Sequence, residues 1–275
     1  MATVQDEGRY GLAHLGVSPS GAADQEAMHL ANALLDNEGS CAVIELTLGG
    51  AEIRCWSDTQ VAVTGADASL RCAGEQRPMN TATRMSAGDT IEIGVPSAGL
   101  HTYIAVRGGV DVPPVLGSRS TDTMSWLGPA RIVTGTTLPF GAVRVGNRPR
   151  VPVSVPSQRL GRPLRLILGP RQNWFDPEAI AAIGSREYVV TPASNRAGIR
   201  LQGPTLQRCR QEELPSEGVV AGAVQVPPSG QPIVLFRDRS TTGGYPVIGV
   251  VVEEDLSIVA QRRPGSTVRF VIVDR

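Results

Sequence analysis

The sequence contains no lysine: all 26 basic residues are arginine. That absence excludes a Schiff base, a biotinyl-lysine on this chain and a phosphate-loop lysine. A biotin would have to be tethered to another protein, and a nucleotide held without a Walker loop. Net charge is absent too, with 26 basic residues against 26 acidic ones, so nothing indicates nucleic acid or an anionic membrane as a partner. Aromatic residues make up only 4%. Trp56, Trp126 and Trp174 form no spaced stacking platform, which argues against single-stranded nucleic-acid binding. The four cysteines, Cys41, Cys55, Cys72 and Cys209, include no CxxC pair, so no metal site is expected. No apolar run approaches the roughly 18 residues that span a bilayer. The N-terminus is polar and lacks a signal-peptide core, so a cytoplasmic protein with reduced thiols is expected. GxSxG, HExxH and GxGxxG are all missing.

What is abundant is glycine and proline, 31 and 21 residues in a chain of 275. Such a chain turns often and favours many short strands. Ten β-branched runs bounded by turn residues predict strands at 42–48, 60–63, 90–93, 102–106, 164–168, 188–190, 219–226, 233–236, 247–252 and 268–273. Regularly spaced short strands point to a barrel or sandwich. Helical spacing of Ala27, Leu30, Ala31 and Leu34 predicts one helix over 22–35, capped by Ser20 or Asp24 and stopped by Asn37 and Gly39. A second short helix is expected from Pro177 to Ile183, with Asp176 as cap and Gly184 as stop. The fold class is therefore mainly β, with two β-rich subdomains at 1–146 and 163–275. An arginine- and proline-rich connector is expected at 147–162, read either as a solvated linker or as an electropositive rim. Two faint echoes, Gly109-Val-Asp-Val-Pro-Pro against Ala223-Val-Gln-Val-Pro-Pro and residues 87–91 against 264–268, would suit two related halves.

Three segments carry candidate chemistry. His14-Leu-Gly-Val-Ser-Pro-Ser-Gly-Ala-Ala-Asp24 feeds a helix N-terminus, where backbone N–H groups favour an anion and His14 and Asp24 are acid–base candidates; it also reads as an ordinary capped helix. The turn at Arg119, Ser120 and Thr121 pairs a guanidinium fork with hydroxyls, suited to a carboxylate or phosphate, or to a plain solvent-facing turn. Asp238-Arg-Ser-Thr-Thr-Gly-Gly-Tyr-Pro246 sits between strands, its glycines allowing close backbone approach and Tyr245 offering a stacking face.

Together these motifs resemble the allophanate hydrolase subunit 2, or biotin-dependent carboxyltransferase-like, family. The segments that carry the likeness are 14–24 with Ala31-Asn32, 108–121, Ser194-Asn-Arg-Ala-Gly-Ile-Arg-Leu201, Ser216-Glu-Gly, Gly222-Ala-Val-Gln-Val-Pro, 238–246, Ala260-Gln261, Pro264-Gly265 and 268–270. Asn195 and Ala197 depart from the family's Ser-Asp-Arg-Met-Gly pattern. The resemblance implies a cyclophilin-like β-barrel architecture and a heteromeric assembly with B-like and A-like partner proteins. It implies an ATP-dependent 5-oxoprolinase that opens 5-oxo-L-proline to L-glutamate, with ATP and Mg²⁺ expected in the complex. The carboxyltransferase part of a urea carboxylase and a regulator that binds a histidine-kinase inhibitor are the alternative family roles. On this reading Asp238, His14 and Asp24 are catalytic. Arg119, Ser120, Thr121, Gln225, Thr241, Thr242, Gly243, Gly244 and Tyr245 bind substrate or phosphate.

Overall fold

The computed structural model describes residues 1–142, 161–210 and 212–274. The chain separates into two compact units, one made of Met1–Arg9 with Ser20–Ser157, the other of Tyr10–Pro19 with Gln158–Arg275. Apart from its last two residues, the connector expected at 147–162 lies outside the described residues.

The first unit holds strands β1 (Ala2–Gln5), β2 (Val43–Thr47), β3 (Ala51–Arg54), β4 (Thr59–Asp67), β5 (Leu70–Cys72), β6 (Glu75–Arg77), β7 (Ala82–Met85), β8 (Thr90–Ile93) and β9 (Ala98–Val106), and helix α1 (Gln25–Leu34). A five-stranded sheet runs in the order β1-β2-β9-β4-β7 and a four-stranded sheet in the order β3-β8-β5-β6. Side chains alternate across a strand, and the large sheet uses both of its faces. Leu46, Val61, Val63 and Ile104 meet Leu70, Cys72, Ile91 and Ile93 of the small sheet in one core. On the opposite face Val43, Ala62, Tyr103 and Ala105 receive Ala27, Met28, Ala31 and Leu35 of the helical segment. The helix starts at Gln25 because Asp24 is extended and its carboxylate accepts from Ala27 N, the expected capping geometry. Ala22 and Ala23 are buried coil rather than a first turn.

The second unit holds β10 (Leu164–Leu168), α2 (Pro177–Ser185), β11 (Glu187–Val190), β12 (Gly198–Gln202), β13 (Glu217–Gly218), β14 (Ala223–Gln225), β15 (Ile233–Leu235), β16 (Thr242–Gly243), β17 (Val247–Val251), α3 (Leu256–Ala260) and β18 (Thr267–Ile272). Seven strands close into a barrel in the order β10-β17-β14-β15-β12-β11-β18. The closing pair β10 and β18 is parallel, with Leu164 opposite Phe270. Closure removes exposed sheet edges. Leu164, Leu166, Tyr188, Val190, Val268 and Phe270, alternate residues of three adjacent strands, are buried. Tyr188 and Phe270 meet edge to face with centroids 6.2 Å apart. The expected cap Asp176 accepts from Ala179 N, but α2 runs through Gly184 to Ser185. Of the two sequence echoes, 87–91 and 264–268 are both a glycine turn that opens a strand, at Thr90 and Thr267, whereas the longer one does not mark equivalent elements. Val110 makes only an isolated bridge with Phe140, whereas Ala223–Gln225 is a barrel strand. No helix among the described residues is long and apolar enough to cross a membrane.

Candidate functional site

The expected site residues fall in both units, and each group is built by its own unit. In the first unit Asp24 is the cap of α1, 7% exposed, with its Oδ1 3.0 Å from Ala27 N. Its backbone N–H donates to the Tyr103 hydroxyl at 2.7 Å, and that hydroxyl donates to Glu45 at 2.8 Å. The carboxylate expected to do acid–base work is thus committed to starting a helix. Burial, then the neighbouring Glu45 and Asp24, holds the Tyr103 phenol well above its ordinary range.

The Arg119-Ser120-Thr121 turn is organised by a residue that sequence reasoning did not single out. Asp6 accepts from the hydroxyls of Ser118 and Ser120 at 2.6 Å each and from the backbone N–H of Arg119 at 2.5 Å. A carboxylate with several donors is a strong local anchor. Ser120 and Thr121 are fully buried, and the Thr121 hydroxyl donates to Pro129 O at 2.9 Å. Arg119 donates to Asp111 at 2.7 Å and to Val112 O at 2.7 Å. These hydrogen bonds hold the turn itself, and the Arg119 side chain stays about one-third exposed.

The second unit keeps the loop after β15 open. Its Asp238 is the exception. Arg196 grips that carboxylate with Nε at 2.9 Å and Nη2 at 3.1 Å, and both side chains are buried, 3% and 0% exposed. Asp238 is thus the counter-ion of a buried arginine, because a buried charge must be paired. Asn195 shapes the same corner: its Oδ1 accepts from Ala197 N at 2.9 Å and Gly198 N at 3.2 Å. An amide oxygen serves that turn as well as a carboxylate would, so the departure from the family's aspartate leaves the local geometry intact.

Beyond Asp238 the loop offers what a ligand needs. Thr241 and Thr242 make no side-chain hydrogen bond among the described residues, and Thr242, Gly244 and Tyr245 are exposed. The β16 pair Thr242–Gly243 is held by β13, with Glu217 opposite Gly243. Glu217 is bound in turn by Arg171, whose Nε lies 3.1 Å away. Gln225 projects beneath the loop, donating to Tyr245 O at 3.2 Å. A Cβ on Gly243 would sit 2.4 Å from its Nε2, so a side chain there would displace the Gln225 amide. Burial lowers the Arg208 pKa, while the nearby Tyr245 phenol raises it. His14, in a short 3-10 turn, belongs to this unit, is exposed and makes no hydrogen bond among the described residues. Ser18 of the same segment donates to Arg237 O at 3.1 Å. The 14–24 motif is thus divided between units: His14 and Ser18 belong to the second, where Ser18 bonds the residue before Asp238, and Asp24 belongs to the first with α1.

Residues 15–272 match the family described as the carboxyltransferase domain, subdomain A and B. The chain belongs to the carboxyltransferase domain family. It is 37% identical over 273 residues to the C-type subunit of the 5-oxoprolinase of Escherichia coli K12, covering 98% of this chain and 87% of that protein. It is 31% identical over 301 residues to the urea amidolyase of Lachancea kluyveri, covering 98% of this chain but 16% of that protein. The crystal structure of the K. lactis urea amidolyase matches with a TM-score of 0.88 at 28% identity, over 99% of this chain and 18% of that one. Within this carboxyltransferase domain, sequence reasoning quoted the segments holding Arg196 and Glu217 but gave neither a role. Their partners Asp238 and Arg171 are 42 and 46 positions away, and no local pattern couples residues at that distance.

Proposed function

We propose that this carboxyltransferase-domain protein is a subunit of a heteromeric, ATP-dependent 5-oxoprolinase, working in the cytoplasm with B-like and A-like partners to turn 5-oxo-L-proline into L-glutamate. The observation that carries this reading is length-matched identity. The chain aligns with 87% of a C-type 5-oxoprolinase subunit, but with only 16% of a urea amidolyase. In this reading the second unit supplies the substrate loop. The Thr241 and Thr242 hydroxyls and the backbone of Gly243 and Gly244 face the lactam, and Gln225 supports them from below. With Asp24 and Asp238 committed to structure, His14 is the acid–base group left among the three expected. Positioned donors of this kind stabilise charge that develops during acyl activation. Nucleotide and Mg²⁺ belong to the assembled complex. No group of three or more His, Cys, Asp or Glu gathers among the described residues, so the donor set does not fit a metal held by this chain alone.

The test is 5-oxoproline-dependent ATP hydrolysis and glutamate release by the mixed subunits. Turnover should require this chain and fall about 100-fold in Thr241→Val/Thr242→Val, on the scale of losing positioned donors. A well-formed complex with no turnover sinks the reading. The second reading, carboxyl transfer to urea or a related amide from a biotinylated partner, is favoured by the family description. The same complex tested with urea and a biotinylated carboxyl donor decides it, and silence in both assays leaves a regulatory binding role.

A further inference from the structure

Asp238 lies between two arginines, Arg237 and Arg239. Its carboxylate is taken by Arg196, so it does not serve as an ion-pair partner for Arg239. Arg239 donates through Nε to Val219 O and through Nη1 to Phe236 O, both at 3.3 Å. Those carbonyls fix the guanidinium plane but bring no net charge. No ion pair to Arg239 exists among the described residues, and its Nη2 makes no hydrogen bond. Burial pushes the Arg239 pKa down, the neighbouring Arg237 pushes it further, and only the Tyr10 phenol opposes them. A half-buried guanidinium, anchored along one edge and crowded by a like charge, is stabilised by an anion on its open edge. It adjoins the loop that carries the unpartnered Thr241 and Thr242 hydroxyls.

We propose that Arg239 is a substrate-recognition residue that binds the carboxylate of a small cyclic amide acid through its free Nη2 edge. This rests on the reading above that the 238–246 loop faces the substrate, and it adds the group that selects an acid over a neutral lactam. Arg239 touches the carboxylate, not the bond that breaks, so its loss should raise KM more than it lowers kcat.

The experiment measures binding to the full chain, alone and with its B-like partner, by calorimetry at constant ionic strength. The probes are 5-oxoproline, 2-pyrrolidinone (the same ring without the carboxylate) and inorganic phosphate. Wild type should prefer 5-oxoproline over 2-pyrrolidinone by about 10-fold or more, the scale of one charge-assisted hydrogen bond. Arg239→Gln should lose that preference. Arg239→Lys keeps the charge but lacks the planar fork that anchors on two carbonyls and presents a separate edge to the oxyanion, and should lose part of it. Equal binding of the two lactams by wild type overturns the proposal. So does unchanged selectivity in either variant that melts like wild type, or binding of phosphate without 5-oxoproline. Selective acid binding without glutamate production counts against the 5-oxoprolinase reading and leaves Arg239 standing. Turnover with selectivity independent of Arg239 does the reverse.

Discussion

At the scale of single residues, the Arg196–Asp238 pair sets the terms for any mutational work on the site. Both groups are buried and hydrogen-bonded to each other. Removing one member strands the other charge, which costs about 3–5 kcal/mol, whereas replacing both with apolar groups of similar volume is often close to neutral. Asp238→Ala should therefore lower stability by about 3 kcal/mol or more. The double variant Arg196→Met/Asp238→Leu should recover most of that loss. Urea denaturation of wild type and the two variants checks this, and a double variant no more stable than Asp238→Ala would refute the pairing argument. Loss of activity in Asp238→Ala is accordingly no proof of a catalytic base.

At the scale of elements, the β13–β16 ribbon is the piece of the second unit that shapes the loop without belonging to the barrel. Two residues pair with two, too few to be stable unaided. The Arg171–Glu217 ion pair braces it, with both side chains about one-third exposed. A partly exposed pair contributes about 1 kcal/mol or less to global stability, so its effect is local. Glu217→Gln should leave the melting temperature within about 2 °C of wild type while speeding amide exchange at Thr242 and Gly243 and leaving the barrel strands protected. Hydrogen-exchange mass spectrometry reads both. Unchanged exchange at the ribbon would show that the ion pair does not hold it.

At the scale of the whole molecule, four buried acids are kept neutral. Burial raises the pKa of the Cys55 and Cys72 thiols and of the Tyr103 and Tyr188 phenols, and pushes Tyr188 up to about 12. In each case the folded pKa exceeds the unfolded one. The native state therefore holds a proton that the unfolded chain releases, and stability is complete below the unfolded values, about 9 for thiols and 10 for phenols. It falls as the pH rises through that range, and the Tyr188 share, roughly 2–3 kcal/mol, is spent by about pH 12. The Tyr188 hydroxyl is buried and has no hydrogen-bond partner among the described residues. Tyr188→Phe should thus be neutral or stabilising at pH 7 and should flatten the loss between pH 10 and 12. Denaturation midpoints across that range test the sign, and a destabilised variant at pH 7 would mean that the hydroxyl has a native partner.

The sequence by itself determined what local chemistry can encode. The caps at Asp24 and Asp176 place α1 and α2, because a carboxylate three residues before a free N–H is a short-range signal. Strands such as Thr90–Ile93 and Leu164–Leu168 are legible because β-branched runs end at turn residues. The missing lysine bounds the chemistry, and the joined motifs point to the family. Tertiary structure decided the rest. Closure of the barrel by β10 against β18 joins strands about one hundred positions apart, and no alternation pattern names a partner strand. Residues 10–19 group with the second unit although the chain on either side of them belongs to the first. Long stretches of chain also separate Asp6 from the Ser118 and Ser120 hydroxyls it binds, and Asp238 from the arginine that claims it. A carboxylate in a loop reads as a base until a buried guanidinium is brought beside it. That juxtaposition is made by strand pairing, whose closure entropy and packing energy belong to the whole chain.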